Sequence, residues 1–182
     1  MRFITPIKEK EISKEGVSRF INPGGFFFGD GDCQIHTILG SCIAITLWHP
    51  VLQIGGMCHF VLPGRRNLVG VSREDSKLNG RYSDAAMALF EREAIRRGTH
   101  LTDYQAKIFG GSNMLTNSRL KDDELIGTRN AEAAMNHLSE RSISLLVAHV
   151  GETGHRRIAF DVGTGDVWVK HEPLQKFIET NK

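Results

Sequence analysis

At 182 residues, the chain is long enough for one domain with its own core, and 40% hydrophobic with 24% charged residues is the makeup of an ordinary globular protein, not a disordered or fibrous one. A net charge of +2, from 23 basic and 21 acidic residues, gives no basic stripe of the kind a phosphate-driven nucleic-acid binder carries. The pairs Arg65-Arg66, Arg96-Arg97 and Arg156-Arg157 are scattered and read as solvated surface. Three cysteines, Cys33, Cys42 and Cys58, are too few and odd in number for a disulfide framework. They point to a reducing cytoplasm, where a thiol stays reactive. Met1 to Lys10 lacks the apolar segment of a signal peptide, and no apolar run is long enough to span a bilayer, so no direct membrane insertion is expected.

Residues 1–34 mix turn formers with aromatics: Asn22-Pro23-Gly24-Gly25, then Phe26-Phe27-Phe28, then Gly29-Asp30-Gly31-Asp32. They read as an irregular arm whose three phenylalanines anchor on the core of the domain that follows, residues 35–182. From Ile35 to Leu62 the pattern is β. Ile43, Ile45 and Leu47 alternate on one face of a strand, His49-Pro50 marks a turn, and Gln53 to Leu62 is a second extended run. Gly64 to Gly80 is polar and reads as a surface loop. Ser83 is placed to cap a helix running to about Arg97, with Gly98 as its stop and Ala86, Leu89, Phe90 and Ala94 on its apolar face. Ala106 to Phe109 is a short strand ending in Gly110-Gly111. A second helix is expected from Ala131 to Glu140, capped by Asn130. Ile143 to Val150 reads as a buried strand, and Arg157 to Val162, Gly163-Thr164-Gly165 and Asp166 to His171 as a hairpin. Short strands interleaved with two main helices make a single α+β or mixed α/β domain.

The hairpin brings two reactive residues together. If His49 to Leu52 form a four-residue loop, Trp48 faces Gln53, and counting outward sets Cys42 opposite His59. Directly opposed side chains have Cβ atoms about 4.5–5.5 Å apart, near enough for a thiol to meet an imidazole. Such a neighbour depresses a thiol pKa from about 8.5 toward neutrality and can later protonate a leaving amine. Gly40-Ser41, just before Cys42, allows close backbone approach and offers N–H groups to an oxyanion. A small buried cysteine and a satisfied strand histidine would leave the same pattern, so residue pattern alone keeps both readings open. Cys33-x-x-His36 and Cys58-His59 are conceivable zinc ligands, but the spacing fits no standard pairing, and neither a metal nor a cofactor is expected. The glycine-rich stretches lack the lysine and hydroxyl residue of a phosphate-binding loop. Asp161, Asp166, His137 and His149 read as surface or core residues without a chemical role.

Two blocks, Thr37-Ile-Leu-Gly-Ser-Cys42 and Gly55-Gly56-Met57-Cys58-His59-Phe60-Val61-Leu62-Pro63, together resemble the CheD family of chemoreceptor glutamine deamidases. The resemblance continues through Tyr82-Ser-Asp84-Ala-Ala-Met87, Lys107-Ile-Phe-Gly-Gly111, Ile126-Gly-Thr-Arg-Asn130 and the segment from Gly154 to Lys170. It implies a β-sandwich core of mixed or antiparallel sheets flanked by helices. It also implies a cytoplasmic hydrolase that deamidates glutamine side chains of methyl-accepting chemotaxis receptors through a thioester, with hydrolysis of glutamyl methyl esters as a second activity. The family's nucleophile falls on Cys42 and its histidine, seventeen residues later, on His59. The family's threonine lies just upstream of the Leu-Gly-Ser-Cys run, where this chain has Thr37 five residues before Cys42 and His36 six before. Thr37 is taken as the third member of the catalytic set and His36 as its alternative. The segment Gly151-Glu152-Thr-Gly154-His155 departs from the family, which more often has a second glycine and an arginine there. The partners implied are a chemoreceptor as protein substrate and a CheC-type phosphatase, which on a second reading the chain binds as a non-catalytic regulator. A monomer that contacts no nucleic acid is expected.

Overall fold

The computed structural model describes residues 16–64, 79–114 and 125–174. Met1 to Lys10, Arg65-Arg66 and nearly all of the loop from Gly64 to Gly80 lie outside them. The described elements in chain order are β1 (Val17–Phe20), β2 (Phe26–Gly29), β3 (Cys33–Leu39), β4 (Ile43–His49), β5 (Ile54–Phe60), α1 (Ser83–Arg96), β6 (Gln105–Gly110), α2 (Ile126–Glu140), β7 (Ser144–Val150), β8 (His155–Asp161) and β9 (Val167–Glu172). They form one α+β domain with two sheets, ordered β1-β3-β8-β9 and β2-β5-β4-β6-β7.

Strand alternation decides the layering. On β4, Ile43, Ile45 and Leu47 join Cys58 and Phe60 of β5 and Ala106 and Ile108 of β6 in a cluster with α1 and α2. The opposite faces, carrying Ala44, Met57 and Phe109, pack on Ile35, Leu39, Ile158 and Phe160 of the four-stranded sheet. The five-stranded sheet is therefore covered on both sides, by helices on one and by the second sheet on the other. Hydrogen bonds cross between the sheets at one end, from Trp48 Nε1 to Val162 O at 2.8 Å and from Lys107 Nζ to Gly165 O at 2.7 Å.

Several expectations are corrected. The stretch read as irregular through residue 34 supplies β1, parallel to β3, and β2, antiparallel to β5. The three phenylalanines do anchor on the core, but as strand residues, with Phe26 and Phe28 toward the helices and Phe27 between the sheets. The β4–β5 turn covers residues 50–53, so His49 pairs with Ile54 and Ala44, not Cys42, pairs with His59. Gln53 N donates to His49 O at 2.9 Å and Gln53 takes φ +52°, which closes a turn that keeps His49 in the ladder. The register differs by two residues from the expectation; because strand side chains alternate with period 2, Cys42 and His59 still belong to one face.

The helices start differently too. Tyr82 occupies the N-cap position of helix α1 without a side-chain cap, and Ser83 is a helical residue whose Oγ accepts from Gly64 N at 2.9 Å and meets His137 Nε2 at 2.9 Å, bracing α1 on α2. The stop at Gly98, with φ +67°, and the apolar face are as expected. Helix α2 begins five residues before Ala131, at Ile126, so Asn130 lies inside it, fully buried, instead of capping it. Strand β7 is not buried: among the described residues it pairs only with β6, at the sheet's edge, and Leu145 and Leu146 are exposed. The β8–β9 hairpin stands as read, and Asp161 has a task there, its Oδ1 accepting from Gly163 N and Thr164 N.

The end of β6 is pressed against the start of β4. A Cβ on Gly110, which has φ +111°, would overlap Cys42 O, and one on Gly127 of α2 would stand 2.5 Å from Gly111 O. Replacing Gly110 by alanine combines backbone strain with that overlap, so a loss of at least about 3 kcal/mol is expected. Gly98→Ala, with positive φ but open space around it, should cost only about 1–2 kcal/mol. Urea denaturation of the two variants checks the contrast.

Candidate active site

Cys58 and Phe60 point to the helices, so the alternation of β5 sends Met57 and His59 between the sheets. On β3 the same alternation buries Cys33, Ile35, Thr37 and Leu39 on the facing side. His59 and Thr37, 1% and 2% exposed, therefore meet across the sandwich. Thr37 Oγ1 stands 2.8 Å from His59 Nδ1 and 2.8 Å from Ile21 O. A carbonyl can only accept, so the threonine proton goes to Ile21 O, and Oγ1 must accept from Nδ1–H. That fixes the ring tautomer: the proton is on Nδ1 and the lone pair on Nε2. Nε2 is buried and has no hydrogen-bond partner among the described residues, the Cys42 thiol included. Burial pushes the His59 pKa down to about 4, offset only in part by the Ile21 carbonyl.

Cys42 sits one residue before β4, whose ladder with β5 ends at the Ile43–Phe60 pair; carried one step further, that register sets Cys42 level with Val61 and diagonal to His59 on their shared face. Such neighbours stand roughly 7–8 Å apart, with Cβ atoms somewhat closer. Cys42 packs against the cluster between the sheets but is only half-buried, whereas Cys33 and Cys58 are buried. Burial pushes the Cys58 thiol up to about 12 and raises Cys33 as well. Burial also raises Cys42, against lowering contributions from the Arg81 guanidinium and from its own backbone N–H. The depressed thiol expected beside an imidazole is thus not the resting state. A thiol raised and an imidazole lowered by the same dry surroundings remain a neutral pair.

Backbone contacts lock the segment before the thiol. Gly40 O accepts from Ser112 N at 2.9 Å, and Cys42 O accepts from Gly111 N at 2.8 Å. Asn130 Nδ2 donates both to Ser41 O at 3.0 Å and to Val61 O at 2.8 Å. Ser112 is itself held through its Oγ by the wholly buried Arg156, whose Nε donates to His149 Nδ1 at 2.8 Å. In the sequence Gly111 only closes a strand and Asn130 reads as a helix cap; the contacts that give Gly111, Ser112 and Asn130 a purpose join segments far apart in the chain. His36 lies on the other side of β3 from Thr37, with Gln34 and Ile38, and the structure does not bring it to His59. Cys33 and His36 likewise face opposite ways, as do Cys58 and His59, and among the described residues no three potential metal ligands come together.

The depressed pKa makes His59 a stability sensor. Folded His59 stays neutral to about pH 4, whereas an imidazole at its ordinary value of 6.5 takes up a proton sooner. Between those values the unfolded chain binds the extra proton, so this contribution is complete above about pH 6.5 and is lost as pH falls toward 4. Urea denaturation from pH 7 to 4 should show that slope, and His59→Asn should remove its share of it.

A model of the CheD family, described as CheD chemotactic sensory transduction, matches residues 61–171, beginning two residues after His59. The probable chemoreceptor glutamine deamidase CheD 3 of Dechloromonas aromatica is 45% identical over 150 residues, covering 82% of this chain and 85% of that protein. The probable chemoreceptor glutamine deamidase CheD of Pseudomonas savastanoi pv. phaseolicola is 40% identical over 173 residues, 94% of this chain and 90% of that one. One from Leptospira interrogans, named CheD 1, is 35% identical over 161 residues. With a family match over more than half its length and relatives that align along most of it, the chain belongs to the CheD family of chemotactic sensory transduction.

Proposed function

We propose that the chain is a chemoreceptor glutamine deamidase in which Cys42 is the nucleophile, His59 the base and Thr37 the residue that holds the ring. The observation that carries this reading is the Thr37–His59 hydrogen bond, which leaves the Nε2 lone pair on the face His59 shares with Cys42. The names of the relatives support the substrate class.

The chemistry starts from the neutral pair. As Cys42 Sγ attacks the carboxamide carbon of a receptor glutamine, Nε2 takes the thiol proton, and the carbonyl oxygen becomes an oxyanion. The imidazolium then gives that proton to the departing nitrogen, releasing ammonia and leaving a thioester. Nε2 next takes a proton from water as the water attacks the thioester, and the collapse returns the proton to sulfur and yields glutamate. A glutamyl methyl ester would follow the same route with methanol leaving. A base with a pKa near 4 is a poor resting proton acceptor, so transfer has to accompany C–S bond formation, not precede it. The substrate is the part of a methyl-accepting receptor that faces the cytoplasm; no described helix of this chain is long and apolar enough to cross a membrane.

The reading fails if Cys42→Ala still produces the ~1 Da gain that replaces an amide by an acid in receptor peptides. Thr37→Val should keep the fold and lower kcat by roughly tenfold or more, because the ring loses the acceptor that fixes its tautomer, while Thr37→Ser should recover most of it. In the wild type, kcat/KM should fall on the acid side only as His59 protonates, near pH 4. The second reading, a non-catalytic regulator that binds a CheC-type phosphatase, has one observation in its favour: burial keeps the Cys42 thiol neutral at rest. Iodoacetamide separates the two. Alkylation of Cys42 that slows on His59→Ala favours the enzyme, and a thiol indifferent to His59 favours the regulator.

A further inference from the structure

Three consecutive carbonyls lead into the nucleophile, and each is held: Gly40 O by Ser112 N, Ser41 O by Asn130 Nδ2 and Cys42 O by Gly111 N. Two of the donors are backbone groups, and the third is a side chain. Asn130 is fully buried within α2. A carboxamide reaches the strand from there because the same side of the helix carries Gly127, Ala131 and Ala134, all buried, and Gly127 touches the backbone at Gly111 and Ser112. Asn130 Oδ1 is buried without a hydrogen-bond partner among the described residues. Turning the amide over would set that oxygen against the Ser41 and Val61 carbonyls, so the orientation is dictated by its two acceptors. An unpaired buried acceptor opposes folding; what the side chain does in return is join the approach to Cys42 to the segment just after His59.

Building on the deamidase reading, we propose that Asn130 is a positioning residue that turns the Ser41–Cys42 peptide so that the Cys42 N–H becomes the oxyanion donor. In a trans peptide the C=O and the following N–H point in opposite directions, and none of the described peptide bonds is cis. Directing Ser41 C=O at α2 therefore directs Cys42 N–H away from the helix, toward the side between the sheets where the thiol packs. The lowering effect of the Cys42 N–H on its own thiol agrees with that placement. The donor thus sits on the same residue as the nucleophile, where the oxygen of the attacked carboxamide acquires charge. Gly40 and Ser41 serve this arrangement through their carbonyls.

The test is a comparison of wild type, Asn130→Ala and Asn130→Ser. Deamidation of the cytoplasmic fragment of a chemoreceptor is followed by mass spectrometry, alongside alkylation of Cys42 by iodoacetamide. Alkylation is displacement at a saturated carbon and builds no oxyanion, so it reports the thiol and His59 without the proposed donor. Asn130→Ala should lower kcat roughly 10²-fold, the scale of losing one oxyanion donor, with KM and the alkylation rate within about twofold of wild type. Asn130→Ser should fall between, and it carries the comparison should the alanine variant not fold. Parallel losses in kcat and alkylation would overturn the proposal by showing a general loosening of the segment, and so would an unchanged kcat. A wild type that deamidates no receptor while its thiol remains accessible would overturn the functional reading itself, whereas an active wild type with fully active Asn130 variants would overturn only the role of Asn130.

Discussion

The Thr37 hydroxyl, held between the Ile21 carbonyl and His59 Nδ1, is the contact that sets the state of the buried histidine. It joins the two sheets at the end opposite Trp48 and Lys107, which bond the residues around the β8–β9 turn. The pairing of these three groups has one solution. Oγ1 spends its proton on a carbonyl and must then accept, so the histidine is left with its lone pair on Nε2. Ring orientation and tautomer are consequences of the same two hydrogen bonds.

The same dryness sets the electrostatics. It pushes the imidazole and the thiol toward their neutral forms from opposite sides. An ion pair waiting for substrate would need more charge stabilisation than Arg81 and the Cys42 N–H supply, since burial outweighs both. The proposed mechanism accordingly moves the proton as the bond forms and passes the developing negative charge to the substrate oxygen. What the fold provides ahead of the reaction is fixed backbone: the glycine-lined exit of β6, the first turns of α2 and the segment before Cys42 pack so closely that carbonyls 40 to 42 are each engaged.

Much of this was legible in the chain itself. The alternation of Ile43, Ile45 and Leu47 marked a strand with one core face, and Ala86, Leu89, Phe90 and Ala94 marked a helix, because those periods are local properties of the backbone. Glycine at the end of α1 and the turn before β9 were readable for the same reason. The blocks around Cys42 and His59 led to the CheD family, to which the chain belongs. Two strands were missed among residues 17–29 because neither has a periodic pattern of its own; each is a strand by virtue of its pairing with β3 or β5. The edge position of β7 was invisible for a related reason, since the composition of a strand does not say how many neighbours it has.

By itself, then, the sequence determined the α+β class, the parity that keeps Cys42 and His59 on one face, and the family. Parity survived a register shift of two residues because it depends only on odd and even. Tertiary structure alone decided that Thr37 and not His36 faces His59, since the two are neighbours in the chain and only the direction of the β3 pleat relative to the second sheet separates them. It also decided that Asn130, whose residue type suggested a helix cap, is a buried donor to Ser41 and Val61. No local rule anticipates that contact, because its partners lie 89 and 69 residues away along the chain and meet only when α2 settles on the five-stranded sheet.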